Sequence, residues 1–173
     1  MDIFSHGLWA AAAAQGINLK AKKRLSVGKF AAWGVFPDLF AFTVAFGAMV
    51  FTGMRFDPHD AEPYGGNGHI VYQLTHTLYN MSHSMIVFAA VFGLAWLLFR
   101  RPLWEMGGWL LHIVMDVPTH SYAFFPTPIL WPASGWKFNG ISWSQSWFIV
   151  ADFSALAVTY LIIWYAYQQK RKR

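Results

Sequence analysis

Four stretches of the chain are nearly free of charge, and each is long enough to cross a bilayer as a helix. Phe30 to Gly53 is apolar except for Asp38. Ile70 to Phe99 is polar in its first half and strongly apolar from Met85 onward. Leu103 to Phe125 is apolar but carries Glu105, His112, Asp116 and His120, and Trp147 to Tyr167 is broken only by Asp152. A hydrocarbon core needs about 20 helical residues. The pattern therefore predicts an all-α, polytopic membrane helix bundle, one domain over residues 1–173. Its transmembrane helices, about four in number, fall near residues 30–53, 78–99, 103–122 and 147–167. Ile3 to Ile17 is too short for an untilted crossing and reads as an interfacial or partly inserted helix packed on the bundle.

Composition supports lipid as the solvent. Hydrophobic residues make up 56% and charged residues 12%, against about 25% charged in an ordinary soluble domain. So few charges could hardly cover a water-facing surface. Ten Trp and 19% aromatic residues suit a membrane interface, where a ring is buried and its polar edge stays wet.

Charge distribution adds an orientation. Lys20, Lys22, Lys23, Arg24 and Lys29 precede the first span, Arg100 and Arg101 separate the second and third, and residues 168–173 form a basic tail. With these three regions cytoplasmic, all but Arg55 and Lys137 of the 13 basic residues lie inside, as the positive-inside rule requires. The C-terminus is then cytoplasmic. The acidic Asp57, Asp60 and Glu62 fall outside, in a loop from Arg55 to Gly68. A second outer connection, Phe125 to Gln145, holds Pro126, Pro128 and Pro132, which exclude a regular helix. Its Trp131, Trp136 and Trp143 are expected at the outer interface. The net charge of +5 sits at the ends of apolar segments and not on one face, so no nucleic-acid partner is expected. The N-terminus lacks the basic start of a signal peptide, and its apolar stretch contains His6.

The ionisable residues inside the spans carry the candidate chemistry. An Asp at the centre of a bilayer costs about 2.5–3.5 kcal/mol on insertion scales, which makes it a functional candidate by default. In His112-Ile-Val-Met-Asp116-Val-Pro-Thr-His120, residues four apart share a helical face. A neutral imidazole and a carboxylate one turn apart can hold one metal ion. Pro118 should bend or end the helix, carrying His120 towards the same site or a neighbouring one. The competing explanation, a purely structural polar network, leaves a buried carboxylate in need of a cation. Cysteine is absent, so any metal is held by His nitrogens and carboxylate oxygens.

His69, His76 and His83 recur every seven residues along one helix stripe. His83, nearest the apolar half, is the best ligand of the three; His76 is a ligand or a supporting partner, and His69 a loop-end residue. Pro37-Asp38 could equally begin a helix or supply a ligand. His6 alone is ambiguous, and Asp152 could hold a ligand imidazole. One tension remains. At 1.5 Å per residue, Asp38 lies roughly 12 Å or less from the basic end of its span, and His83 roughly 25 Å from the Arg100 end of its own.

Together these motifs resemble the membrane-bound metal-dependent hydrolases of the YdjM type, distantly similar to the zinc-dependent phospholipase C and S1/P1 nuclease fold. The resemblance runs from His6 through Pro37-Asp38, Ser82-His83-Ser84 and His112-x3-Asp116 to Leu130-Trp131-Pro132. It implies His6, Asp38, His83, His112 and Asp116 as metal ligands, with His120 a looser match. Leu78-Tyr79-Asn80 stands where the family has His-Arg-Gly, and no His follows residue 120. The resemblance therefore implies one or two ions, not three, with zinc favoured and manganese the alternative. It also points to a bacterial or archaeal cytoplasmic (inner) membrane.

The expected function is hydrolysis of a phosphoester or lipid-like substrate by metal-activated water, with Asp38 or Asp116 as general base. Two alternatives come from other classes. One is a haem cytochrome with axial ligands among His76, His83, His112 and His120. The other is a transporter or assembly factor using the same residues for packing or proton relay.

Overall fold

The computed structural model describes residues 1–53 and 67–172, and for residues 67–69 the backbone only. The expectations for Asp57, Asp60 and Glu62 and for the His69 side chain lie outside the described residues. Six α-helices carry the fold: α1 (Ile3–Lys20), α2 (Val27–Thr52), α3 (Asn67–Ser82), α4 (Met85–Phe99), α5 (Gly107–Thr119) and α6 (Ser146–Arg171). The all-α expectation holds among the described residues.

Two helices, α2 and α6, are each long and apolar enough to cross a membrane; α3 and α4 make a third candidate only if counted as one span bent by 64°. Val50, Phe51, Leu97 and Leu98 are 70–88% exposed. Side chains of that kind on an outer wall mark a protein solvated by lipid. The expected span over 103–122 is not confirmed as a single helix. Its helix, α5, has 13 residues and falls short of the about 20 that an upright crossing needs. Pro118 stands in its last turn and the helix stops at Thr119.

The helices run in alternating directions around α2. Ala14 packs near Phe30 and Ala10 near Gly34, so α1 is antiparallel to α2. Tyr79 meets Ala41, and Ser82 Oγ donates to Pro37 O at 3.1 Å, so α3 is antiparallel as well. Gly108 abuts Phe30 and Gly34, and α5 runs parallel to α2. Along α6, Asp152 bonds Ser5 and Trp9, Tyr160 Oη donates to Leu8 O, and Tyr167 Oη donates to Gln15 O. The first helix is thus strapped to the last along its length. It packs on the bundle through Ala10, Ala12 and Ala14, which are buried.

Small residues set the spacing. A Cβ on Gly108 would lie 2.0 Å from Phe30 O, and one on Gly34 would lie 2.5 Å from Ala10 Cβ. Helices associate closely in a bilayer where small residues let their backbones meet. Here α2 touches α5 on one side and α1 on the other within one turn.

The break between α3 and α4 falls at His83-Ser84. Ser84 Oγ caps α4 by accepting from Ile86 N and Val87 N, and it donates to Trp131 O. Met85 N donates to Ile129 O at 3.0 Å. Irregular backbone at this depth is tolerated because protein partners satisfy it. The same break resolves the depth mismatch between Asp38 and His83. Phe92 packs on Trp104 at 6.2 Å, so the last two turns of α4 run past the start of α5. The non-helical residues 100–103 then lead the chain back.

Candidate metal centre

Asp38, His83, His112 and Asp116 converge at the centre of the bundle. One ligand atom from each lies within 4.8 Å of the other three. His83 Nε2 is 3.0 Å from His112 Nε2. Asp116 Oδ2 is 3.1 Å from His112 Nε2 and 3.3 Å from His83 Nε2. Asp38 Oδ1 is 3.6 Å and 3.5 Å from the same two nitrogens. A tetrahedral ion with bonds of about 2.0–2.1 Å separates its ligand atoms by about 3.3–3.4 Å. The five separations bracket that value. His83, His112 and Asp116 are buried to 0–1% exposure.

Each donor is positioned by its own element. Pro37 stands inside α2, ten residues after its start, so Pro37-Asp38 does not begin a helix. Proline withdraws one donor from the helical ladder and crowds the preceding turn. In that turn Gly34 O accepts from His112 Nδ1 at 2.7 Å. His83 Nδ1 faces Tyr79 O at 3.1 Å and Ser82 Oγ at 2.9 Å. Its ring stacks on Tyr79 at 3.8 Å. Trp109 Nε1 fixes the same turn by donating to Ser82 O at 2.6 Å. His112 and Asp116 share a face of α5, as their spacing predicts.

These contacts assign the tautomers. A carbonyl oxygen only accepts, so Nδ1 of His112 carries its proton, and Nδ1 of His83 does so towards Tyr79 O. The Nε2 of each neutral ring is then a bare lone pair. Two lone pairs face each other at 3.0 Å, flanked by two carboxylates. A metal ion between them, or a proton shared by the two nitrogens, makes that arrangement favourable. Orientation of ligand imidazoles by backbone carbonyls is the usual support of a metal site.

His6 and His120 stand on the other oxygen of Asp116. His6 Nε2 is 2.9 Å from Asp116 Oδ1, and His120 Nδ1 is 3.2 Å from it. The His6 ring stacks on His112 at 3.6 Å, and neither of its nitrogens makes a directed hydrogen bond. The Met1 amino group also contacts Asp116 Oδ1 at 2.9 Å. His6 and His120 therefore border the four-residue cluster and do not belong to it.

Three expectations are corrected. Asp152 holds no imidazole: it accepts from Ser5 Oγ at 2.6 Å and Trp9 Nε1 at 2.8 Å, and so anchors α1. His76 stays apart, stacked on Phe125 at 4.4 Å with Nε2 buried and without a hydrogen bond. Trp143, expected at the outer interface, turns inward with its Nε1 buried. A haem between His83 and His112 would need about 4 Å between two nitrogens bonded at about 2 Å each. They are 3.0 Å apart, which leaves no room for a porphyrin.

A cavity of about 400 Å³ opens beside the cluster. Asp38, His120 and the N-terminal residues Met1, Asp2, Ile3 and Phe4 line it together with Phe42, Phe46, Met49, Phe124 and Trp143. Asp38 is the member of the cluster that reaches it, at 8% side-chain exposure. The spacing pattern alone gave no sign of Gly34, Gly108, Tyr79 or Ser82 as supports of the cluster. One signal was available: Gly34 and Gly108 each precede a donor by one helical turn.

No family model, curated protein or solved structure matches this chain. The cluster is therefore read from its geometry.

Proposed function

We propose that the protein is a membrane-embedded, metal-dependent hydrolase of a phosphoester carrying an apolar tail. The observation that carries this reading is the facing pair of bare Nε2 atoms, flanked by two carboxylates at the spacing of a tetrahedral zinc or manganese site. A second observation supports a working site over a structural one. Asp38 makes the two longest approaches in the cluster, and it alone of the four lines the cavity. His83, His112 and Asp116 serve as the three firm ligands, and the fourth position faces the cavity through Asp38. Three protein ligands and one open position are the pattern of catalytic zinc.

A divalent ion held by His83, His112 and Asp116 would lower the pKa of a bound water and polarise a phosphoryl oxygen. Asp38 accepts the proton of the attacking water. Gly34 O and Tyr79 O keep the two imidazoles oriented. Phe42, Phe46 and Met49 shelter the substrate's tail and exclude bulk water. This division of roles departs from the resemblance to YdjM-type hydrolases, which implies His6 and Asp38 as ligands as well.

We place the basic end of the bundle at the cytoplasmic face. Support comes from the gathering of Lys23, Arg24, Lys29 and Arg101 around one groove, with Lys170 Nζ bonded to Leu19 O at the same end. The bent α3–α4 pair then makes one crossing, and α5 a short fourth one that is completed by its flanking residues.

Elemental analysis and activity assay of purified wild type beside His112→Ala and Asp116→Ala test the proposal. Wild type should retain zinc or manganese and cleave a lipid-like phosphodiester, and both variants should lose the metal. Wild type that holds neither metal and cleaves nothing after loading would sink it. Variants that keep full metal content but alter solute transport would favour the transporter reading.

A further inference from the structure

The basic end of the bundle contains a second concave feature, remote from the metal cluster and unrelated to its chemistry. A groove of about 700 Å³ lies between the α1–α2 connection and the return from α4 to α5. Its rim carries Lys23, Arg24 and Lys29 from one side and Arg101 from the other. Trp33 and Trp104 form part of its walls, and Glu105 is the one carboxylate among its lining residues. Four cations against one anion leave a strongly positive concavity with an aromatic interior.

Charge at a cytoplasmic end follows from membrane topology alone, so charge does not by itself make a site. Three further features do. The four cations come from the α1–α2 connection (Lys23, Arg24), the first turn of α2 (Lys29) and the return from α4 to α5 (Arg101), and they line one cavity. The α1–α2 connection is fixed from below: Asn18 Nδ2 donates to Leu25 O at 2.9 Å, and Leu25 N donates to Asn18 Oδ1 at 2.7 Å. The backbone that carries Lys23 and Arg24 is therefore fixed before any ligand arrives, which lowers the entropy cost of binding. Finally, α2 starts at Val27 beside the groove, and a helix start favours negative charge.

We propose that this groove binds the phosphate of an anionic phospholipid headgroup. Arg24, Lys29 and Arg101 supply charge-assisted hydrogen bonds to the phosphate oxygens. Trp33 and Trp104 sit at the level where acyl chains begin. A zwitterionic headgroup gains less, since its own ammonium would meet four cations. Basic pockets between membrane helices on the cytoplasmic side are suited to such headgroups.

Native mass spectrometry of the purified full chain, with phosphatidylglycerol and phosphatidylcholine supplied in equal amounts, tests the proposal. Wild type should retain phosphatidylglycerol in preference. The triple variant Arg24→Gln, Lys29→Gln, Arg101→Gln should weaken its retention about a hundredfold, because each basic residue at an anionic surface contributes about a factor of five. The triple variant Lys170→Gln, Arg171→Gln, Lys172→Gln removes the same charge outside the groove and should leave retention unchanged. Glu105→Gln should strengthen retention and guards against a groove variant that fails to fold. Equal retention of both lipids, equal loss in the two triple variants, or weaker retention in Glu105→Gln would overturn the proposal. Displacement of the lipid by inorganic phosphate alone would also overturn it, showing a site for the free anion.

Discussion

Replacing Gly108 by Ala decides whether backbone contact between α2 and α5 positions the metal ligands. In an isolated helix the exchange favours folding, since Gly in a helix interior costs about 0.5–1 kcal/mol relative to Ala. The structure predicts the opposite sign. The new methyl would stand 2.0 Å from Phe30 O and 2.9 Å from Gly34 N, and both atoms are backbone. No side chain can rotate away, so the helices must part by about 1 Å, and overpacking of this kind costs about 1–3 kcal/mol. His112 lies one turn beyond Gly108 and bonds Gly34 O at 2.7 Å. Parting the helices therefore moves a ligand as well as a packing contact. Metal–ligand distances tolerate only about 0.2 Å, so affinity should fall by at least tenfold. Thermal unfolding in detergent and a competitive zinc titration measure the two effects. Gly16→Ala and Gly93→Ala, where an added Cβ meets nothing within 4 Å, serve as controls and should be neutral or stabilising. A Gly108→Ala protein as stable as the Gly93→Ala control, with unchanged zinc affinity, would refute the reasoning.

Three further outcomes follow from the site. Asp38→Asn should keep most of the metal and lose turnover, whereas Asp116→Asn should lose both; elemental analysis beside a phosphodiesterase assay separates them. Stripping the metal with a chelator should lower the unfolding midpoint by about 10 °C and reloading should restore it, because a ligand at a thousand times its Kd adds about 4 kcal/mol. Met49→Trp should narrow the apolar cavity and slow cleavage of long-chain substrates by roughly tenfold while sparing short soluble ones; an equal effect on both would show that the cavity does not receive the tail.

Much of the site was legible because the hydrocarbon makes polar residues conspicuous. Asp38, His83, His112 and Asp116 stand out in apolar surroundings, and the spacing of His112 and Asp116 put them on one face. What spacing could not supply was depth. His83 looked too far from its basic end because one continuous helix was read through Ile70 to Phe99. The break at His83-Ser84 depends on Ile129 and Trp131, some 45 residues later: Ile129 O accepts from the freed Met85 N and Trp131 O from the Ser84 hydroxyl. A period-based reading sees no such partner. Pro37 was ambiguous for a related reason: proline is usual at helix starts, and its tolerance mid-helix depends on neighbouring helices. Asp152 looked like an aid to a ligand, yet its partners Ser5 and Trp9 lie at the far end of the chain. His120 was marginal in the sequence and is marginal in the cluster.

The strap between α1 and α6 has a consequence for biogenesis. The four convergent donors come from α2, α5 and the break between α3 and α4, all made before α6 leaves the ribosome. The centre can therefore close while the last helix is still being synthesised. The first helix brings His6 against Asp116, but Asp152, Tyr160 and Tyr167, which fasten it in register, arrive last. The order of synthesis thus sets the inner donors first and lets α6 fasten the helix that carries the stacked His6 ring afterwards.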